Sequence, residues 1–387
     1  MLSDFPNNIR IALVHDWLTV YAGAERVLEQ MLNIFPDADL FSLIDFIPAG
    51  QRGFIRNKSV TTSFIQKLPK AKTHYRSYLP LMPAAVERFD LSNYDLVLSS
   101  SHAVAKGVIT RPDQLHICYL QARNLKYAYE DRLLYPSGKA LSLLQDIYLS
   151  YIRVWDSVAS QRPDVTIANS KYVRDWHLHR HACPSAVIYP PVDTFTFGNK
   201  FCENKEKYFV AVGRIEPYKR FDLIVEAFNQ LGYPLRIIGD GTQKKSLQQS
   251  SADNIEWLGF QNTPVIAEVV SRARSFLFAS REDFGIAPLE AQACGTPVIA
   301  FGKGGALETV QGLDSDQPSG VFFLEQTVHS ICEAINQFEL NQSRILPAVC
   351  RNNALKFAPE RFRLEFTEFV EKLFIEFKGT QVASVNG

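Results

Sequence analysis

The chain has 387 residues, 46% hydrophobic and 21% charged, with 41 Lys and Arg against 41 Asp and Glu. That length suits two domains, and the composition excludes disordered and fibrous classes. A net charge of zero argues against a nucleic-acid binder.

No apolar run approaches the roughly 20 residues that span a bilayer. The opening Met1-Leu2-Ser3-Asp4-Phe5-Pro6-Asn7-Asn8 lacks the basic end and apolar core of a secretory leader. The six cysteines, at 118, 183, 202, 294, 332 and 350, form no Cys-x-x-Cys pair. They read as reduced and mostly buried, which predicts a cytoplasmic protein without a zinc site.

The first predicted strand is Ile9–Val14, followed by a loop from His15 to Gly23. A helix over Ala24–Asn33 carries Val27, Leu28, Met31 and Leu32 on one face. Asp37-Ala38-Asp39 reads as a turn before a strand at Leu40–Ile44, and not as a metal-binding pair. Between Asp45 and Glu87 there is no acidic residue, while Arg52, Arg56, Lys58, Lys67, Lys70, Lys72 and Arg76 are interleaved with aromatics. This stretch is either a solvated face or a patch for an anionic membrane surface or a lipid-diphosphate acceptor. Each basic residue near an anionic leaflet contributes roughly 1 kcal/mol. Further strands are predicted at Tyr94–Leu98, His116–Leu120, Val165–Ala168 and Ala186–Tyr189, with helical segments between several of them. Such alternation predicts a parallel sheet covered on both faces.

The pattern restarts with a strand at Phe209–Val212 and a helix at Phe221–Leu231. Strands follow at Leu235–Ile238, Ile255–Leu258, Phe276–Ala279, Pro297–Phe301 and Gly320–Phe323. The polar stretch Asp193–Lys207, after Pro190-Pro191, reads as the junction. The final helix, about Glu360–Phe377, has a Phe- and Leu-rich side that predicts docking onto earlier structure. The fold class is α/β: two Rossmann-like doubly wound domains facing a cleft. The first is expected over 1–195 together with helix 360–387, the second over 196–359. Ligands are expected at the strand carboxyl ends.

The chemistry concentrates in the second half. Gly213-Arg214-Ile215-Glu216-Pro217-Tyr218-Lys219-Arg220 follows a strand, so Arg214 and Lys219 could grip a diphosphate. Arg220 is equally suited to opening the next helix. Glu282-Asp283-Phe284-Gly285-Ile286-Ala287-Pro288-Leu289-Glu290 joins a turn to a helix start, where unpaired N–H groups favour phosphate. Eight helical residues would separate Glu282 from Glu290 by about 12 Å. Glycosidase acid/base pairs lie about 5–9.5 Å apart, so the two carboxylates suit two parts of a long ligand. Gly239-Asp240-Gly241 and Gly302-Lys303-Gly304-Gly305 end strands and are weak signals on their own. Neither dinucleotide nor Walker-type glycine motifs are present.

These motifs, with Gly304-Gly305-x-x-Glu308-Thr309-Val310, resemble the retaining glycosyltransferases of family 4, the glycosyl transferases group 1 with a GT-B fold. Ala22-Gly23-Ala24-Glu25-Arg26-Val27 is similar to that family's Gly-Gly-Ala-Glu-Arg-Val loop. Ser99–Val108 resembles a mannosyltransferase-like branch of bacterial surface-polysaccharide enzymes.

The resemblance implies a hexose transferred from a nucleotide sugar, GDP-mannose as first guess, to a glycan or lipid-linked acceptor in polysaccharide synthesis. It implies Arg214 and Lys219 on the leaving diphosphate, Glu282 on the transferred sugar and Glu290 on the ribose. Gly213, Phe284, Gly285, Ile286 and Ala287 would meet sugar and phosphate, and Gly23 would line the donor from the first domain. The final helix would cross back to that domain. No metal or other cofactor is implied, since basic side chains and a helix terminus can stabilise the leaving charge. The protein would be cytoplasmic, with peripheral contact at the inner membrane face through 52–76.

Acceptor-side or active-site candidates are Asp16, His102, Gln121 and Lys126. The family usually offers a His after the strand at 116–120, where this chain has Gln121. Gln hydrogen-bonds a hydroxyl but carries no proton at neutral pH. A catalytically impaired binding or scaffold protein is therefore the alternative, with a GT-B epimerase or phosphorylase behind it.

Overall fold

The computed structural model describes residues 9–123, 125, 128, 129 and 139–385. They form two compact units. One comprises the described residues of Met1–Pro191 and Phe362–Gly387, the other Val192–Arg361.

In the first unit β1 (Ile11–His15), β2 (Asp39–Ser42), β3 (Val60–Thr62), β4 (Leu96–Ser101), β5 (Leu115–Leu120), β6 (Val165–Ala168) and β7 (Ala186–Val187) form a sheet of order β3-β2-β1-β4-β5-β6-β7. Every pairing is parallel. The apolar run of β1 is explained by burial on both faces. Leu13 enters one core and Ala12 and Val14 the other, because successive side chains alternate across a sheet.

The helix Gly23–Ile34 buries Val27, Leu28, Met31 and Leu32. The final helix, Pro359–Val385, buries Phe362, Phe366, Val370 and Phe374 in the same core as Leu13 and Leu28. Their spacing of four keeps one stripe facing the sheet. Burying these four side chains contributes on the order of 6–12 kcal/mol before the entropy of ordering is subtracted. Phe362 and Phe366 stack at 5.3 Å, and Tyr119 of β5 meets Phe362 edge-on at 5.9 Å.

The other core of this unit contains a buried ion pair. Lys106 Nζ donates to Asp156 Oδ1 at 2.5 Å, and both side chains are essentially inaccessible. Tyr129 Oη donates to Asp156 Oδ2 at 2.7 Å. On β5, His116 Nε2 lies 2.8 Å from Ser99 Oγ of β4, and burial pushes its pKa down to about 3.

The second unit holds β8 (Phe209–Val212), β9 (Leu235–Ile238), β10 (Ile255–Gly259), β11 (Phe276–Phe278), β12 (Val298–Phe301) and β13 (Gly320–Phe323), in the order β10-β9-β8-β11-β12-β13. All pairings are again parallel. Helices Phe221–Leu231 and Val328–Asn341 cover one face through Ile224, Phe228, Ile331, Ile335 and Phe338. The division between units falls at Pro191. The polar stretch Asp193–Lys207 is part of the second unit: Phe197 is buried, and Lys205 Nζ donates to the Ser271 carbonyl at 2.6 Å and to Thr296 Oγ1 at 3.0 Å.

All six cysteines are free thiols, four of them buried. Among the described residues no helix is long and apolar enough to cross a membrane.

Candidate active site

In the second sheet the chain runs outward from β8 in one direction and from β11 in the other. Loops leaving the carboxyl ends of two such strands diverge, and the crevice between them is where α/β sheets commonly bind ligands. Here those loops are 213–220 and 279–285.

Both loops are seated on their neighbours through glycine. A Cβ on Gly239, after β9, would lie 1.9 Å from the Gly213 carbonyl oxygen. One on Gly305, after β12, would lie 2.3 Å from the Phe284 backbone. No side chain fits either place. The Gly305 N–H also donates to the Glu282 carbonyl at 2.9 Å. The glycine clusters thus have a packing cause: they fix the height of the two loops.

Lys219 and Glu282 meet across this point as an ion pair, their side chains 18% and 25% exposed. Read from sequence, the two residues have separate tasks; the fold brings their side chains together. Ser280 Oγ donates to Glu282 Oε1 at 3.1 Å, and the Lys219 ammonium lies 6.0 Å from the Phe278 ring centre. Arg214 is exposed, with Nη2 donating to Tyr218 Oη at 2.6 Å. Arg220 turns elsewhere: it adopts φ 56° and pairs with Asp222, capping the helix Phe221–Leu231.

Gly285, at φ 97°, turns the chain into the helix Ile286–Ala293. Its first-turn N–H groups have no intrahelical acceptors, and Pro288 contributes none. Ile286 and Ala287 are half-buried at this start, Phe284 is buried against Phe357 at 5.7 Å, and Glu290 is half-buried one turn further on. Lys219 and Glu282 thus meet between two loops, one of which also carries Arg214 while the other leads into the helix start, an arrangement suited to a diphosphate flanked by polar groups.

The first sheet reverses between β1 and β4, and its loops are tied together by Asp16. The Asp16 carboxylate accepts the backbone N–H groups of His102, Ala103, Val104 and Ala105 at 2.6–2.9 Å and is fully buried. Four donors use its lone-pair sites, so Asp16 clamps this loop to the end of β1. His102 Nδ1 lies 3.1 Å from Asp16 Oδ2, and its ring meets Trp17 edge-on at 4.3 Å. Burial lowers the His102 pKa against the attraction of Asp16.

Gln121 follows β5 and is half-buried. Its Nε2 donates to Ser100 Oγ at 2.9 Å and to the Ala24 carbonyl at 3.4 Å. Its neighbours include two groups that sequence reasoning passed over. His15 Nδ1 is 3.0 Å from Ser100 Oγ, and His15 Nε2 is 3.7 Å from Glu25 Oε1, both side chains being buried. Burial opposes ionisation of Glu25, but the facing His15 imidazole and the helix backbone outweigh it and hold the carboxyl below its usual range. Glu25 Oε2 accepts the Ala22 N–H at 3.0 Å, so the start of the helix bearing Gly23 is anchored from within. Ala22 has extended backbone, φ −140°, which any residue adopts. Lys126 lies outside the described residues. Among the described residues no group of three or more His, Cys, Asp or Glu is placed to hold a metal ion.

Residues 194–357 match the family model described as Glycosyl transferases group 1. The second unit is a glycosyl transferases group 1 domain. The chain is 28% identical over 163 residues to an uncharacterized glycosyltransferase of Methanocaldococcus jannaschii, covering 41% of this chain and 46% of that protein. It is 34% identical over 113 residues to a GDP-mannose-dependent monoacylated alpha-(1-6)-phosphatidylinositol monomannoside mannosyltransferase of Corynebacterium glutamicum, covering 25% and 30%. The chain thus spans less than half the length of these relatives. The fold likeness is longer: Anabaena Alr3699/HepE, crystallised in complex with UDP, has a TM-score of 0.67 at 16% identity over 94% of this chain and 100% of that one. The architecture is the GT-B glycosyltransferase fold.

Within the group 1 domain, Gly213, Arg214, Lys219, Glu282, Phe284, Gly285, Ile286, Ala287 and Glu290 all lie on the two switch-point loops or the helix that follows them. Tyr218 and Ser280 were missed, although each is within two residues of a predicted one. In the first unit the signal for His15 was a polar residue ending an otherwise apolar strand.

Proposed function

We propose that this chain is a retaining, metal-independent glycosyltransferase that moves a hexose from a nucleotide sugar to a glycan or lipid-linked acceptor in polysaccharide synthesis. The observation that carries the proposal is the Lys219–Glu282 ion pair between the two switch-point loops, one of which also bears Arg214 while the other leads into helix Ile286–Ala293. In this reading the two cations and the helix start neutralise the leaving diphosphate, as a metal does elsewhere. Glu282 contacts the transferred sugar and Glu290 the ribose. GDP-mannose is the first candidate donor, supported by the Corynebacterium relative's GDP-mannose dependence; the UDP of the Anabaena complex makes UDP-sugars the second. In the transfer step the acceptor oxygen bonds to the anomeric carbon on the face from which the phosphate oxygen departs. The acceptor's proton passes to that leaving phosphate.

The test is incubation of the full chain with GDP-mannose, UDP-glucose and UDP-N-acetylglucosamine, following nucleotide release and thermal stability. A donor at 100 times its Kd stabilises by about 2.7 kcal/mol. Absence of any stabilisation and any release overturns the proposal. Gln121 at the family's histidine position favours one rival, a binding protein without turnover, which predicts stabilisation but no release. Exposed Arg56, Lys67, Lys70, Lys72 and Arg76 support peripheral binding to anionic vesicles, and sedimentation with phosphatidylglycerol vesicles against neutral ones tests it.

A further inference from the structure

We infer that Tyr218 is a positioning residue that tethers Arg214 without neutralising it. The two cations of loop 213–220 then play unequal parts: Arg214 stands preset for a diphosphate, whereas Lys219 must first leave Glu282. The inference deepens the glycosyltransferase reading and rests on it for the identity of the ligand. The tether itself rests on the geometry of one loop in the second unit.

That loop is held firmly between the two residues. Ile215 is fully buried; its N–H donates to the Asp240 carbonyl at 2.9 Å, and its own carbonyl accepts the Gln243 N–H at 3.1 Å. A single turn follows, Pro217–Lys219, in which the Lys219 N–H donates to the Glu216 carbonyl at 2.9 Å. The Pro217 ring restricts its backbone further. This turn brings Tyr218 back beside Arg214. Arg214 Nη2 donates to Tyr218 Oη at 2.6 Å, and the Lys219 ammonium lies 5.7 Å from the centre of the same ring.

The chemistry of the tether decides what Arg214 can do. A carboxylate would orient the guanidinium equally well, but it would cancel the charge and compete with phosphate for the same fork of donors. A phenol oxygen accepts one N–H and carries no charge. Among the described residues Arg214 has no carboxylate partner. Glu216, two positions along the loop, is engaged elsewhere: Oε1 accepts the Thr242 N–H at 3.2 Å and Oε2 the Thr242 hydroxyl at 2.6 Å. Lys219 differs, because Glu282 already compensates it. A dianion therefore meets Arg214 oriented and uncompensated, and gains Lys219 only by displacing a carboxylate. Ordering a long side chain before the ligand arrives lowers the entropic cost of binding.

Two measurements on the full chain test this. The first is a double-mutant cycle of Tyr218→Phe and Arg214→Ala, read by isothermal titration with GDP and UDP. Tyr218→Phe keeps the ring beside Lys219 and removes only the oxygen, and binding should weaken about fivefold. Once Arg214 is Ala, Tyr218→Phe should cost nothing further. Wild-type affinity in Tyr218→Phe, or losses that add, overturns the inference. The second is NMR of ligand-free protein labelled with 15N-arginine, with Arg214 assigned through Arg214→Ala. Guanidinium rotation should be slow in wild type and fast in Tyr218→Phe; equal rates overturn the tether. Wild type that binds neither GDP nor UDP defeats the glycosyltransferase reading instead, and the NMR result still decides the tether.

Discussion

The Lys219–Glu282 pair makes a prediction whose sign is not obvious. A nucleoside diphosphate entering the crevice would compete with Glu282 for the Lys219 ammonium. Two unit charges 4 Å apart at an effective dielectric of 20 attract by about 4 kcal/mol. Both side chains are partly exposed, so screening and desolvation reduce the net coupling to about 1 kcal/mol. Glu282→Gln keeps the shape and the Ser280 contact but removes the competing charge and its repulsion of phosphate. GDP and UDP should therefore bind about fivefold tighter, from that ~1 kcal/mol, while sugar transfer falls. Lys219→Ala acts oppositely. It removes a charge-assisted contact of about 1.5–3 kcal/mol and leaves Glu282 facing the phosphates, and adding Glu282→Gln should restore part of the loss. Isothermal titration with GDP and UDP at fixed ionic strength reads all four proteins. Weaker GDP and UDP binding by Glu282→Gln would refute the competition argument.

Two further predictions concern the first unit. Lys106→Met should destabilise by about 3–5 kcal/mol, since it strands Asp156 as a buried charge; urea unfolding measures this, and Lys106→Met with Asp156→Leu should recover most of the loss. His116 has a folded pKa near 3, below its unfolded value of about 6.5, so the unfolded chain binds the extra proton and stability falls as pH drops from about 6.5 toward 3. Between pH 7 and pH 5 that amounts to about 2 kcal/mol, which His116→Gln should remove from the pH dependence of urea unfolding.

The sheets were legible because parallel strands buried on both faces read as unbroken apolar runs. Val165–Ala168, Phe209–Val212, Leu235–Ile238 and Gly320–Phe323 are strands with the same limits in the structure. β3 was missed: Val60–Thr62 has three residues, two of them threonine, too few for any periodicity. The site loops were legible where glycine and charge coincide after a strand, as at Gly213–Lys219 and Glu282–Gly285. What sequence could not give was pairing at long separation. Lys219 and Glu282 are 63 positions apart, and His15 and Ser100 are 85 apart. Their meeting depends on which strands become neighbours. The bonds of Asp16 were illegible for the same reason, because its partners are backbone N–H groups some 86–89 residues away.

The role of Asp16 can be tested directly, since a clamp and a catalytic carboxylate respond differently to one substitution. Asp16 accepts four N–H groups, two per oxygen. Asn is nearly isosteric, but its amide nitrogen is a donor and would face either His102 and Ala103 or Val104 and Ala105, whose N–H groups are donors too. Two charge-assisted bonds at about 1.5–3 kcal/mol each are lost. Asp16→Asn should thus cost about 3–6 kcal/mol in urea unfolding and loosen the loop that carries His102. Asp16→Glu should not rescue it, because the extra methylene has no room in a fully buried position. If Asp16→Asn instead keeps wild-type stability and loses only sugar transfer, the carboxylate is chemical and not structural. The four backbone bonds would then be the incidental feature.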